Sequence, residues 1–177
     1  MASPISFLSI LIIPLLVTSL FYDVSNADRA LVEKVCTQSS DYQYCLSVLL
    51  SDPEGLTNIL YRLGLVSTSV SLKIIPTIDD DIANYLDTVT DTGMKARITG
   101  CRTDISGILE DIKQARIDAG TQAYIDEYNI LVSAQNKIAG CNTRFVAPPT
   151  VTSPIKSSTS KIEKLINISL VIARMLK

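Results

Sequence analysis

Four cysteines (Cys36, Cys45, Cys101 and Cys141) and 18 carboxylates are the side chains of this 177-residue chain best suited to chemistry, and there is no histidine. Without histidine no Ser-His-Asp or Cys-His nucleophile and no His-ligated metal site can be assembled, because no other side chain is a neutral base near pH 7 at its ordinary pKa. The adjacent carboxylates Glu110-Asp111 and Asp126-Glu127 are the remaining acid/base candidates. On a helix, sequence neighbours point in different directions, so both pairs read as solvated surface. Asp79-Asp80-Asp81 lacks EF-hand spacing and reads as a solvated acidic face. Neither a glycine-rich phosphate loop nor a Gly-x-Ser-x-Gly elbow occurs. The residues predict no enzyme, no cofactor and no metal. With 16 basic residues against 18 acidic ones, there is no positive field to recruit nucleic acid.

The chemistry of the cysteines depends on compartment. Phe7 to Phe21 is a nearly unbroken apolar run, shorter than the roughly 20 residues of a membrane span. Ser25-Asn26-Ala27 then places small residues at −3 and −1 of a cleavage point. The expectation is a signal peptide over 1–27, cut near Ala27–Asp28, and a mature domain over 28–177 with no membrane attachment; an uncleaved signal anchor is the alternative. In an oxidising compartment four cysteines form a disulfide framework with three connectivities. Cys36-x8-Cys45 and the gap from Cys101 to Cys141 lack the close pairs of a structural zinc site.

Apolar residues beyond the signal recur at three and four, so the chain reads as helical nearly throughout. Met94, Ile98, Cys101, Ile105, Ile108, Ile112, Ala115 and Ala119 form one stripe, with Arg102, Asp104 and Asp111 off it. Gly120-Thr121 offers a stop and a new N-cap, and Tyr124, Tyr128, Leu131 and Ile138 mark the returning helix. Cys101 and Cys141 are equidistant from that bend, and Cys36 and Cys45 flank a polar turn at Ser40-Asp41, so sequential pairing is expected. In the chain-entropy model such closures are worth roughly 3 to 4 kcal/mol each. Upstream, Leu56, Leu60, Leu63, Val70 and Ile74 keep helical spacing after Asp52-Pro53-Glu54. Pro76 either kinks one long helix or separates two, the second capped by the aspartate triplet. A Pro-rich connector over 145–154 leads to an amphipathic closing helix with Ile162, Leu165, Ile172 and Leu176 on one face. The expected fold is all-α: an up-down-up-down four-helix bundle with a short N-terminal α-hairpin and two disulfides.

Recognition residues are sought at the bend. Gly120, Thr121, Gln122 and Tyr124 form the candidate partner interface, while Tyr128 is expected in the core. Asn167-Ile168-Ser169 is the one glycosylation sequon and falls in mid-helix, where acceptor access is restricted.

Several segments together carry a resemblance: Tyr42-Gln43-Tyr44-Cys45-Leu46, Leu50-Ser51-Asp52-Pro53, the hairpin flanked by Cys101 and Cys141, Val132-Ser133-Ala134, Cys141-x3-Phe145, Ser153-Pro154-Ile155 and Ile168-Ser169-Leu170-Val171-Ile172. In order and spacing they are similar to the plant invertase and pectin methylesterase inhibitor family, closer to its invertase-inhibitor and pollen-allergen-like branch. The resemblance implies the same bundle and the same two disulfides. It further implies an apoplastic or vacuolar protein that occludes the active site of one partner, an acid invertase or, second, a pectin methylesterase, in a 1:1 complex. The Pro-Lys-Phe tripeptide that characterised invertase inhibitors carry in the hairpin is replaced here by Ala119-Gly120-Thr121-Gln122-Ala123-Tyr124. That departure motivates a reading from another class, a non-inhibitory member that carries a small apolar ligand or is an abundant pollen or seed protein.

Overall fold

The computed structural model describes residues 29–177; the apolar run Phe7–Phe21 and the expected cleavage point lie outside them. All regular structure among the described residues is helical. Helix α1 covers residues 29–36, and α2 spans Tyr42–Leu49. Asp41 caps α2 by accepting from the Tyr44 amide at 3.0 Å, relieving one of the unpaired donors at a helix start. Cys36 and Cys45 join the two helices through a disulfide, with Cα atoms 5.4 Å apart.

Four long helices follow: α3 (Leu60–Thr88), α4 (Thr92–Gly120), α5 (Tyr124–Val146) and α6 (Lys156–Leu176). Each packs on the next, and α6 closes the ring against α3. The core runs along the expected stripe of α4, with Ile98, Cys101, Ile105, Ile108, Ile112, Ala115 and Ala119 fully buried. Cys101 and Cys141 are disulfide-bonded across α4 and α5. A second polar link lies inside the bundle, where the Ser169 hydroxyl of α6 donates to Ser67 of α3 at 3.0 Å.

Two local readings change and one open choice closes. Asp52-Pro53-Glu54 begins only a single 3-10 turn, Pro53–Gly55, with Asp52 accepting from the Glu54 amide; the long helix starts at Leu60. That helix is continuous through Pro76 to Thr88. The aspartate triplet therefore caps nothing, and Asp79 instead takes a bidentate contact from Arg102 of α4, at 3.0 and 2.8 Å.

Helix α6 is not amphipathic over its second half. Leu165, Ile166, Ile168, Ser169, Leu170, Val171, Ile172 and Ala173 are all buried, which needs cover on every side. The bundle covers the inner face. The N-terminal hairpin covers the other, with α2 packed on α6 and the Asn167 side-chain oxygen accepting from the Ser40 amide at 2.9 Å and the Ser39 hydroxyl at 3.2 Å.

Between α5 and α6, Arg97 of α4 holds the connector by its backbone. Its guanidinium donates to the carbonyls of Arg144, Ala147 and Pro149. The Pro148–Pro149 bond there is cis.

Candidate functional site

The bend between α4 and α5 brings Gly120, Thr121, Gln122 and Tyr124 to one end of the bundle. Gly120 closes α4 and Thr121 is its C-cap. The Thr121 hydroxyl donates to the carbonyls of Ile117 and Asp118, at 3.1 and 3.2 Å. It is thus a cap for α4, not the N-cap of α5 that the sequence suggested; Ala123 takes that position and gives no side-chain bond. The chain reverses at Gln122, whose φ of 60° lies in the left-handed region, an uncommon and costly conformation for a residue with a Cβ. Backbone bonds hold it there, from the Gln122 amide to Ala119 and from the Ala123 amide to Asp118.

The exposed side chains around this turn are mixed: Thr121, Gln122 and Asp126 are polar, and two large apolar residues stand among them. Ile117 is 58% exposed and Ile125 66%. Leu56 and Ile59, at the start of α3, are exposed at the same end of the antiparallel bundle. Tyr124 is half-buried and lines a cleft with Gln122, Ile125, Asp126 and Leu176. Tyr128 lies one turn further in, half-buried and packed against the core; the Lys177 ammonium sits 3.8 Å from its ring centroid, a cation–π geometry.

Beneath the surface, α4 carries aspartates every seven residues on the flank facing α5. Asp104 accepts from Arg144, and the buried Asp111 is paired with Lys137 at 2.5 Å. Seven residues up α4 at each step correspond to seven residues down α5, since Arg144 and Lys137 are also one heptad apart. The next step reaches Asp118, opposite Ile130, and no cation. Asp118, buried, accepts instead from Gln114 at 2.8 Å.

Glu127 lies in the same layer. It is fully buried, and among the described residues neither carboxylate oxygen has a hydrogen-bond partner. Burial first, and then the charge of Asp118, push its pKa up to about 7, because both disfavour the ionised form. Asp111 and Glu127 were expected on solvated surface. Both are buried because their helices pack on more than one neighbour. A signal for Glu127 is present in the sequence: Glu127, Leu131, Ala134, Ile138, Cys141 and Phe145 follow a 4-3-4-3-4 spacing, which places the carboxylate in phase with the core of α5.

The other candidate residues lie elsewhere. The Cys101–Cys141 bridge is twenty residues from the bend along each helix, roughly 30 Å at helical rise. Asn167 is half-buried in mid-α6 beneath the α1–α2 turn. No helix among the described residues is long and apolar enough to cross a membrane, and none of their His, Cys, Asp or Glu side chains gather in a group of three able to hold a metal ion.

A family model described as plant invertase/pectin methylesterase inhibitor matches residues 30–172. A protein of Platanus acerifolia named "Putative invertase inhibitor" is 24% identical over 146 residues, covering 81% of this chain and 82% of that protein. Among solved structures, a mutant form of a pectin methylesterase inhibitor from Arabidopsis superposes with a TM-score of 0.68 at 16% identity, over 81% of this chain and 95% of the other. A pectin methylesterase inhibitor from Arabidopsis thaliana gives 0.60 at 15% identity, over 84% and 97%. At such identities the structural likeness establishes the shared helical-bundle fold.

Proposed function

The chain belongs to the plant invertase/pectin methylesterase inhibitor family, a family of inhibitors rather than enzymes, and on that premise we propose that it is a secreted inhibitor that occludes the active site of a plant acid invertase. Residues 1–27 would be removed on secretion to the cell wall or, alternatively, the vacuole. The observation that carries the reading is the α4–α5 tip: Ile117 and Ile125, more than half exposed, flank a turn whose backbone is fixed by internal hydrogen bonds. Exposed apolar side chains on a rigid projection suit insertion into a cleft, since little ordering entropy is lost on binding. Gly120, Thr121, Gln122 and Tyr124 would make the polar and aromatic contacts around them. With Asp126 exposed beside the turn and the Pro-Lys-Phe tripeptide absent, the contact would be apolar and hydrogen-bonding rather than led by a lysine.

Invertase is favoured by the name of the Platanus relative and by the resemblance of the Tyr42–Leu46 and Ile168–Ile172 segments to that branch. Pectin methylesterase is the second target named by the family. Mixing the purified mature protein at micromolar concentration with each enzyme near pH 5 decides between them. Loss of invertase activity with a 1:1 complex on size exclusion is the expected result. Loss of esterase activity alone reassigns the target, and no loss of either overturns the reading.

A further inference from the structure

We propose that Glu127, buried with Asp118 beneath the α4–α5 turn, is a pH latch: protonated in acid it lets the tip pack closed, and ionised towards neutral pH it loosens the tip and weakens partner binding. The last clause rests on the tip being the partner-binding surface; the latch itself does not.

The geometry is that of a carboxyl group built to be neutral. The space where a Cβ at Gly64 of α3 would sit is 3.3 Å from Glu127 Oε1, 3.6 Å from Ile172 Cγ2 of α6 and 3.9 Å from Ala119 Cβ of α4. Residues of all four long helices therefore converge around Gly64, with the Glu127 carboxylate among them, and neither of its oxygens has a hydrogen-bond partner among the described residues. An unpaired charge there costs far more than a neutral carboxyl. The charged side chains at this end of the bundle are occupied elsewhere. Arg116 of α4 donates to the Leu65 carbonyl, Lys177 of α6 lies on the Tyr128 ring, Arg62 of α3 lines an outer cleft with Glu54, and Arg174 of α6 and Asp126 of α5 are exposed. Asp118 is the one charge that acts on Glu127, and it is of like sign. The aspartate column accounts for this: its two lower members have cations on α5, while the tip member faces Ile130. Glu127 begins the fourth residue of α5, so hydrating its carboxylate means moving the first turn of that helix and the bend attached to it.

The sign follows from linkage. With the pKa raised from 4.5 to about 7, the folded protein holds a proton between these values that the unfolded chain has released. The contribution of Glu127 to stability is then fully present below 4.5, falls about tenfold in the folded-to-unfolded ratio per pH unit as pH rises, and is lost above 7.

The test uses the free, full-length domain. Carbon-13 NMR of Glu127 should show a carboxyl midpoint near 7, and amide exchange over residues 118–127, corrected for intrinsic rates, should accelerate at least tenfold between pH 5.5 and 8. Glu127→Gln should abolish that acceleration. A midpoint at the ordinary glutamate value, or equal tip protection at both pH values, or the same acceleration in Glu127→Gln, would overturn the latch. Enzyme inhibition is read separately: a latch seen by exchange in a protein that inhibits neither enzyme at pH 5 leaves the latch standing and removes only its link to binding.

Discussion

The Asp111 carboxylate of α4 lies 2.5 Å from the Lys137 ammonium of α5, one heptad along from the Asp104–Arg144 pair. Lys137 also donates to the Gly107 carbonyl at 3.4 Å. The two pairs act as rungs of the α4–α5 hairpin, one at the level of the disulfide and one nearer the tip.

Removing the cation alone should be costly because Asp111 is buried. For Lys137→Met we expect a loss of about 2 kcal/mol, less than for a fully buried pair because the lysine keeps a third of its side chain in water. Adding Asp111→Asn should recover about half. Urea denaturation of the two single variants and the double variant measures this; a double variant no more stable than Lys137→Met would mean the aspartate is not held by its partner.

The aspartate triplet should be unequal. Asp79 is bonded twice to Arg102, whereas Asp80 and Asp81 are exposed. Asp79→Ala should lower stability by about 1 kcal/mol, and Asp80→Ala by no more than about 0.5. Equal midpoints for the two in urea would contradict the assignment.

Asn167 should act as a clasp for the N-terminal hairpin. Asn167→Ala removes the acceptor for Ser40 and Ser39, an expected loss of about 1–2 kcal/mol, with amide exchange rising first in residues 37–46. By the same contact, the folded protein should carry no glycan here, because the side-chain amide is packed under the turn. Intact mass after expression in a glycosylating host checks this.

Acid should act on the opposite end of the pH scale from Glu127. A hydrogen bond from Lys164, followed by one from the Tyr44 amide, holds the Asp41 pKa below its usual 3.8. Stability from this cap is present above the unfolded value and is lost as pH falls through the lower folded value. Exchange of the Tyr44 amide should therefore rise below about pH 4, ahead of amides in α4, and Asp41→Asn should remove the pH dependence. Uniform exchange at that pH would argue against a local role.

For the proposed interface, Ile125→Asp should leave stability nearly unchanged, since the side chain is two-thirds exposed. Inhibition should weaken by about thirtyfold or more, the scale of a hot-spot residue. Retained potency would move the interface away from the tip.

Local pattern was sufficient for much of this fold. The 4-3 spacing of α4 and the equal distances of Cys101 and Cys141 from the bend define the hairpin, and both are properties of one segment. Helix α3 was less legible. Pro76 permits a break, but whether the chain breaks depends on what packs beside it, and α3 is packed on both α4 and α6. Helix α6 was legible as the closing helix, with Arg174 exposed, but not the cover over Lys164 and Asn167, because the α1–α2 hairpin that supplies it is more than a hundred residues away in sequence.

The candidate site divides along the same line. Sequence alone determined a helical, histidine-free chain with four cysteines, a bend at residues 120–123 and exposed-type residues around it, because turn chemistry and periodicity are short-range. Tertiary structure decided the ionisation environment. Asp111 and Glu127 look alike as members of acidic pairs, and only the packing of four helices gives the first a lysine and leaves the second beside Gly64 with no partner among the described residues. Desolvation depends on everything within a few ångströms, and no local pattern contains that information.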